Sequence, residues 1–436
     1  MTPEEKRAER LARWMSTSGI KFKSPEAKKK YKERTTRLAR ALQLQKPDRV
    51  PCILPAGNFA ASYAGGNLHK AMYDYEFLQK AWIKFLKDFD TDAAMGAGMV
   101  PPGRVLDLTD YKLYKWPGHG IPEKALSYQA VEAERMKPDE YDRFINDPSD
   151  FWLRIFMTRI FGKLEGFKNL PAWRSFEEMS PSSFIPFGLP DVQLGFRTLI
   201  EAGDEAMKWA QAIGVVNAES QALGFPALAG GLAKAPFDTL GDTLRGTQGI
   251  MMDMFQRPAK IQEAMERIVP LAIESAVEMA NATGIPMVMM PLHKGADSFM
   301  SVKQYKTFYW PTFREVVMGI VNEGIIPILF AEGSYNNRLE IIGDFPRGTV
   351  AWYFDQTDIA KAKQMIGDTC CIMGNVPTSL MLTGTPEQVK EHCRKLIEAC
   401  APGGGYILAG GANIDEGNPE NLRAMMAAAQ EYGIYK

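Results

Sequence analysis

The chain has 436 residues, 46% hydrophobic and 24% charged, an ordinary globular composition with enough length for one large core. A formal net charge of -1 excludes a global field that would draw it to nucleic acid or a membrane surface. Five cysteines without a CxxC pair argue against a disulfide framework and for free thiols in a reducing cytoplasm.

Residues 1–50 carry fifteen Lys/Arg against six Asp/Glu, which leaves an acidic remainder. This segment predicts a helical arm over 1–48, either a solvated amphipathic cover for the body or a basic dock for a partner. Its charged start, MTPEEKRAER, has no apolar core of the kind a secretory leader needs. Nothing later approaches the roughly eighteen apolar residues of a membrane span, so a cytoplasmic protein is expected.

RVPCILP (49–55) reads as a first strand, TDAAMGAGM (91–99) as a second and FPALAGGL (225–232) as another. Between the last two lies an insertion over roughly 100–220, rich in aromatics and Pro. From 285 onward, apolar runs alternate with amphipathic stretches. IPMVMMPL (285–292) precedes YKTFYWPTFREVVMGIVNEG, and IIPILF (325–330) precedes NNRLEIIGDF. TVAWYF (349–354) precedes DIAKAKQMIG, CCIMGNV (370–376) precedes PEQVKEHCRKLIEAC, and YILAGG (406–411) precedes PENLRAMMAAAQEYG. Each run is apolar throughout, as parallel strands buried on both faces are, and the repeated strand–helix unit predicts a parallel α/β fold. No linker divides it, so 49–436 reads as one domain.

In a parallel barrel the chemistry sits at the C-terminal ends of the strands. That rule selects His293, Lys294 and Asp297 after one run, Glu332 after the next, then Asp355, Asn375 and Asp415, with Asn58 and Asp238 from the first half. Plainer roles stand beside these. Asp358 and Asp415 are placed to cap helices, Asn375 to satisfy a turn, and His293 serves equally as a structural histidine. Glu332 stands out, because a carboxylate directly after a buried strand pays for desolvation and should have a raised pKa. No P-loop, GxGxxG, HExxH or GxSxG motif is present.

GNVPTSLMLTGTPEQVKEHCRKLI, GGGYILAGGANI and PENLRAMMAAAQEYG, with LARALQLQKPDRVP near the N-terminus, resemble the uroporphyrinogen decarboxylase and cobalamin methyltransferase superfamily. The resemblance implies a (β/α)₈ TIM barrel, here with an N-terminal helical arm and a large insertion. Two departures bear on activity. The decarboxylases carry an Arg-rich segment of the type RQAGR after the first strand, to meet a polycarboxylate; here ILPAGNFAASYAGGN has no Arg. Thiol-directed methyltransferases bind zinc through HxCG and a later Cys. Those positions fall here on Phe330, Ala331, Glu332 and Gly333, and on Gly411 or Ala412.

What the resemblance then implies is a methyltransferase passing the methyl group of a small methylated substrate, such as an aromatic methyl ether, to Co(I) of a corrinoid protein. In that reading Glu332 is a catalytic acid supported by His293 and Asp355, and Asn58, Tyr63, Asp238 and Asn375 contact substrate or corrinoid. Any metal, zinc included, would rest on Glu332, His293 and Asp355. Phe59, Tyr63, Trp116, Phe187, Phe299 and Trp352 suit an apolar planar ligand or an ordinary core. The alternatives are a decarboxylase diverged at its Arg segment and a non-catalytic corrinoid- or tetrapyrrole-binding protein.

Overall fold

The computed structural model describes residues 1–178 and 180–435. Five strands, β5 (Met287–Leu292), β6 (Ile326–Ala331), β7 (Ala351–Phe354), β8 (Cys371–Met373) and β9 (Tyr406–Ala409), pair in parallel in chain order. β9 then pairs with β1 (Cys52–Ile53), giving a six-stranded parallel sheet.

Two irregular segments close the ring. Asp92 donates its N–H to the Cys52 carbonyl (2.9 Å), and Ala94 donates to Pro226 (2.8 Å). The segment at 226–232 returns to β5 through Gly230 N–H on Met287 (2.8 Å) and Met289 N–H on Gly231 (3.0 Å). Parallel bridges Ala94–Ala227 and Leu232–Met289 mark the same seams. The molecule is therefore a (β/α)₈ barrel whose second and third staves are too short and glycine-broken to form regular ladders.

Period-two alternation decides which side chains fill it. Met287, Met289, Ile328, Phe330, Tyr353, Met373 and Ile407 pack together inside, while Val288, Met290, Leu329, Trp352, Ile372 and Leu408 pack outward against the helices. The arm forms α1 (Pro3–Met15) and α2 (Pro25–Leu42), each begun by a hydroxyl side chain accepting a backbone N–H. Leu11, Trp14, Leu38 and Leu42 join the inner cluster, so the arm seals the barrel from below. Arg10 donates to the Glu323 carbonyl (2.8 Å) and Trp14 Nε1 to that of Ala227 (3.1 Å). The basic arm thus docks on the barrel itself.

Two expectations change. NNRLEIIGDF forms only a short 3₁₀ turn, Asn336–Arg338, because Gly343 and Pro346 interrupt the crossover. Asp415 is not a cap; Asn418 takes that role, and Asp415 accepts the backbone N–H of Asn58 (2.8 Å). Asp358 caps its helix as expected. The insertion holds a small three-stranded ribbon of β2 (Tyr114–Pro117), β3 (Gly120–Ile121) and β4 (Gln129–Ala130), followed by a 33-residue helix, Pro190–Ala222, leading to the third stave.

Trp14 is 5% exposed and has both a packing and a hydrogen-bonding role at the base. Trp14→Ala should cost about 3–5 kcal/mol, read as a lowered thermal midpoint, and Trp14→Phe clearly less. Equal losses for the two would deny the arm its sealing role.

Candidate active site

Alternation carries past the strand ends. Met287, Met289 and Pro291 lead to His293 over the mouth, and Ile328 and Phe330 lead to Glu332 beside it. His293 Nδ1 lies 2.6 Å from Asp242 Oδ2, and its Nε2 lies 3.6 Å from Glu332 Oε1. Asp242 also meets Lys234 (2.9 Å) and Lys294 (3.5 Å). Partial burial alone would discharge the imidazole, yet the hydrogen bond to Asp242 and the nearby Glu332 carboxylate raise its pKa to about 10. Burial opposes the charge on Asp242 too, but His293 and Lys234 hold its carboxyl below the usual range. The mouth therefore holds an imidazolium between two carboxylates.

Asp238 fixes this arrangement from beneath. It is wholly buried, accepting the backbone N–H groups of His293 (3.2 Å) and Lys294 (2.8 Å) and the Tyr309 hydroxyl (2.7 Å). Burial, with Asp242 nearby, pushes its carboxyl up. Enclosed in this way it positions the loop and cannot contact a substrate, which corrects the role expected for it.

The other expected residues divide. Asp355 follows β7 and accepts the Gly333 N–H (3.0 Å); burial raises its carboxyl above the usual range. It thereby braces the Glu332 loop. Asn375 spends its Nδ2 hydrogens on the Asp355 and Thr357 carbonyls (3.0 and 2.8 Å), so its side chain holds a turn. Tyr63 lies among outer helices, donating to Asp88 (3.0 Å), away from the mouth. Asn58 Nδ2 donates to the Leu126 carbonyl (3.0 Å) and anchors the insertion. Of the aromatics, Phe59 and Trp352 are core and Phe187 packs inside the insertion. Phe299 stands under the Lys294 ammonium.

Glu332 is not buried. Its side chain is 45% exposed, so the burial expected directly after an apolar strand is missing. Among the described residues, no three His, Cys, Asp or Glu side chains come together to hold a metal. His293 is a cation engaged through Nδ1, Asp355 turns to a backbone N–H, and all five cysteines are buried elsewhere. This donor set does not fit zinc.

Asp242, Lys234 and a strap across the mouth fall outside the strand-end rule and join the site only through the tertiary structure. The strap runs from Leu126, tied to Asn58 after the first stave, to Glu132, bonded to Lys294 (3.2 Å) and Thr247 after later ones. Tyr128 lies between these anchors, its ring 4.7 Å from that of Tyr114. The i, i+4 spacing of Asp238 and Asp242 was a legible sign that both share one helical face.

A family model described as uroporphyrinogen decarboxylase (URO-D) matches residues 205–432. The uroporphyrinogen decarboxylase of Methylococcus capsulatus is 26% identical over 197 residues, 44% of this chain and 54% of that protein. That of Psychromonas ingrahamii is 30% identical over 141 residues, 31% of this chain and 39% of that protein. The chain spans about half the length, or less, of these curated relatives. A solved methyltransferase from Methanosarcina mazei has a similar fold at 16% identity, with a TM-score of 0.60 over 92% of this chain and 98% of that one.

The His293 cation has a pH signature. Its folded pKa lies above the unperturbed value of about 6.5, so the stability it contributes is complete below that pH and lost as pH rises through about 10. Imidazole NMR, assigned with His293→Asn, should show protonation persisting well above neutrality. Asp242→Asn should move the titration down toward about 6.5. A His293 that titrates near neutrality in the unsubstituted protein would remove the charged array.

Proposed function

The chain belongs to the uroporphyrinogen decarboxylase family, and within it we propose a methyltransferase that moves a methyl group from a small aromatic methyl ether to Co(I) of a separate corrinoid protein. The observation that carries this reading is the Asp242–His293–Glu332 array at the strand ends. The fold shared with the Methanosarcina mazei methyltransferase agrees with it.

Methyl transfer from an aryl ether needs help at the leaving oxygen, since phenolate is a poor leaving group. His293 can give it. Asp242 accepts the Nδ1 hydrogen, and Nε2 stands 3.6 Å from Glu332, beyond ordinary hydrogen-bond distance. As the O–CH₃ bond breaks, its electron pair stays on the aryl oxygen, which takes the Nε2 proton and leaves as the phenol. Phenols ionise near pH 10, close to the value about 10 of His293, so donor and acceptor are matched. The corrinoid would supply the electron pair that forms the new bond to the methyl carbon. Glu332 and Asp242 keep the imidazole charged, so the acid expected at Glu332 passes to its neighbour.

A polycarboxylate substrate suits this mouth poorly. Lys234 and Lys294 are already paired with acids, and Arg338 is buried on the carbonyls of Gly295, Ala296 and Met300.

Methyl transfer to cob(I)alamin, followed by the loss of its absorbance, tests the assignment. His293→Asn should slow it by about 10²–10⁴ with donor binding little changed. Glu332→Gln should act more mildly, drawing the alkaline fall of activity to lower pH. Wild-type rates in His293→Asn would exclude the proton-donor role, and rates lost only through donor affinity would make His293 a binding residue.

A further inference from the structure

Beside the mouth a cavity of about 410 Å³ opens between the helix Pro258–Thr283 and the ends of the third stave and β5. Ile268, Leu271 and Ala272 form its helical wall, Leu232 and Pro291 its barrel wall, and Trp152 from the insertion also lines it. His293 and Lys234 stand among its polar groups. The volume lies in the range of small-molecule sites, roughly 300–1,000 Å³. Leu232 and Leu271 are 61% and 43% exposed, so large aliphatic side chains line a concavity without protein packed over them.

We propose that this cavity receives the aromatic ring of the methyl donor, a monocyclic methoxyarene, directs its ether oxygen to His293, and leaves the methyl carbon facing the barrel mouth. The inference rests on the methyl-transfer reading above. Displacement at carbon requires the acceptor to stand opposite the leaving oxygen, so donor and acceptor approach from opposite sides. His293 borders both spaces, since it lines the cavity while its Nε2 faces Glu332 at the mouth. A ring seated in the mouth would stand in the way of a protein-borne acceptor. A ring in the side cavity keeps the arene out of the mouth, and its apolar walls take up the desolvated arene.

The protein can be titrated with vanillate by calorimetry, and methyl transfer followed with cob(I)alamin. Ala272→Phe fills the cavity, and Leu271→Glu puts a charge on its wall at a side chain already half out in solvent. Each should weaken vanillate binding and raise KM by about tenfold or more while kcat at saturation changes little. Leu271→Met should keep wild-type affinity. Because Leu271 is so exposed, Leu271→Glu still reports on the cavity if Ala272→Phe fails to fold. Unchanged affinity in the substituted proteins, with transfer intact, would place the ring elsewhere and leave the methyltransferase reading standing. Binding that depends on Leu271 and Ala272 without any transfer would support the cavity and remove the reaction. If wild-type protein neither binds nor demethylates vanillate or veratrole, both proposals fall.

Discussion

The buried carboxylate of Asp238 holds two loops in register, and the geometry of the mouth follows from it. One loop carries His293 and Lys294, the other carries Asp242 four residues along the same helical segment. An isolated carboxylate in such a place is costly, but three donors, two backbone and one phenolic, compensate it. With the loops so joined, Asp242 meets the Nδ1 of His293 and leaves Nε2 facing Glu332. Removing the Asp238 anchor would disturb the charged array without touching any group in it.

Electrostatics at the opposite end of the barrel follow the same logic. Asp92, on the second stave, is 1% exposed and accepts the N–H of Cys52 (2.7 Å) while pairing with Arg37 (2.6 Å) and Arg49 (2.8 Å). Arg37 also reaches Asp48. Side-chain charge therefore supplements the irregular pairing of the second stave, and it ties the arm to that side of the ring. The excess of Lys and Arg in the first fifty residues finds part of its use inside the molecule, on acids of the body.

The two proposals assign different tasks to neighbouring spaces. A mouth crossed by the strap and bordered by balanced charge suits proton transfer and the arrival of an acceptor, whereas the apolar side cavity suits an arene. His293 belongs to both, which is why its protonation state matters more than that of any other group described.

By itself the sequence determined the strands from 285 onward and their parallel pairing, and it offered candidates at their ends. These are set by short-range facts: apolar runs, helix caps and the rule that barrel chemistry collects where strands finish. It made His293 and Glu332 candidates separately, because each directly follows an apolar run. Tertiary structure alone decided which carboxylate meets the imidazole, since Asp242 lies fifty-one residues from His293 and reaches it only through the closed ring. It likewise decided that Glu332 is half exposed, that Asp238 is sealed in, and that Tyr63 and Asn375 serve packing and a turn. Burial and partnership are sums over distant segments. No spacing along the chain encodes them.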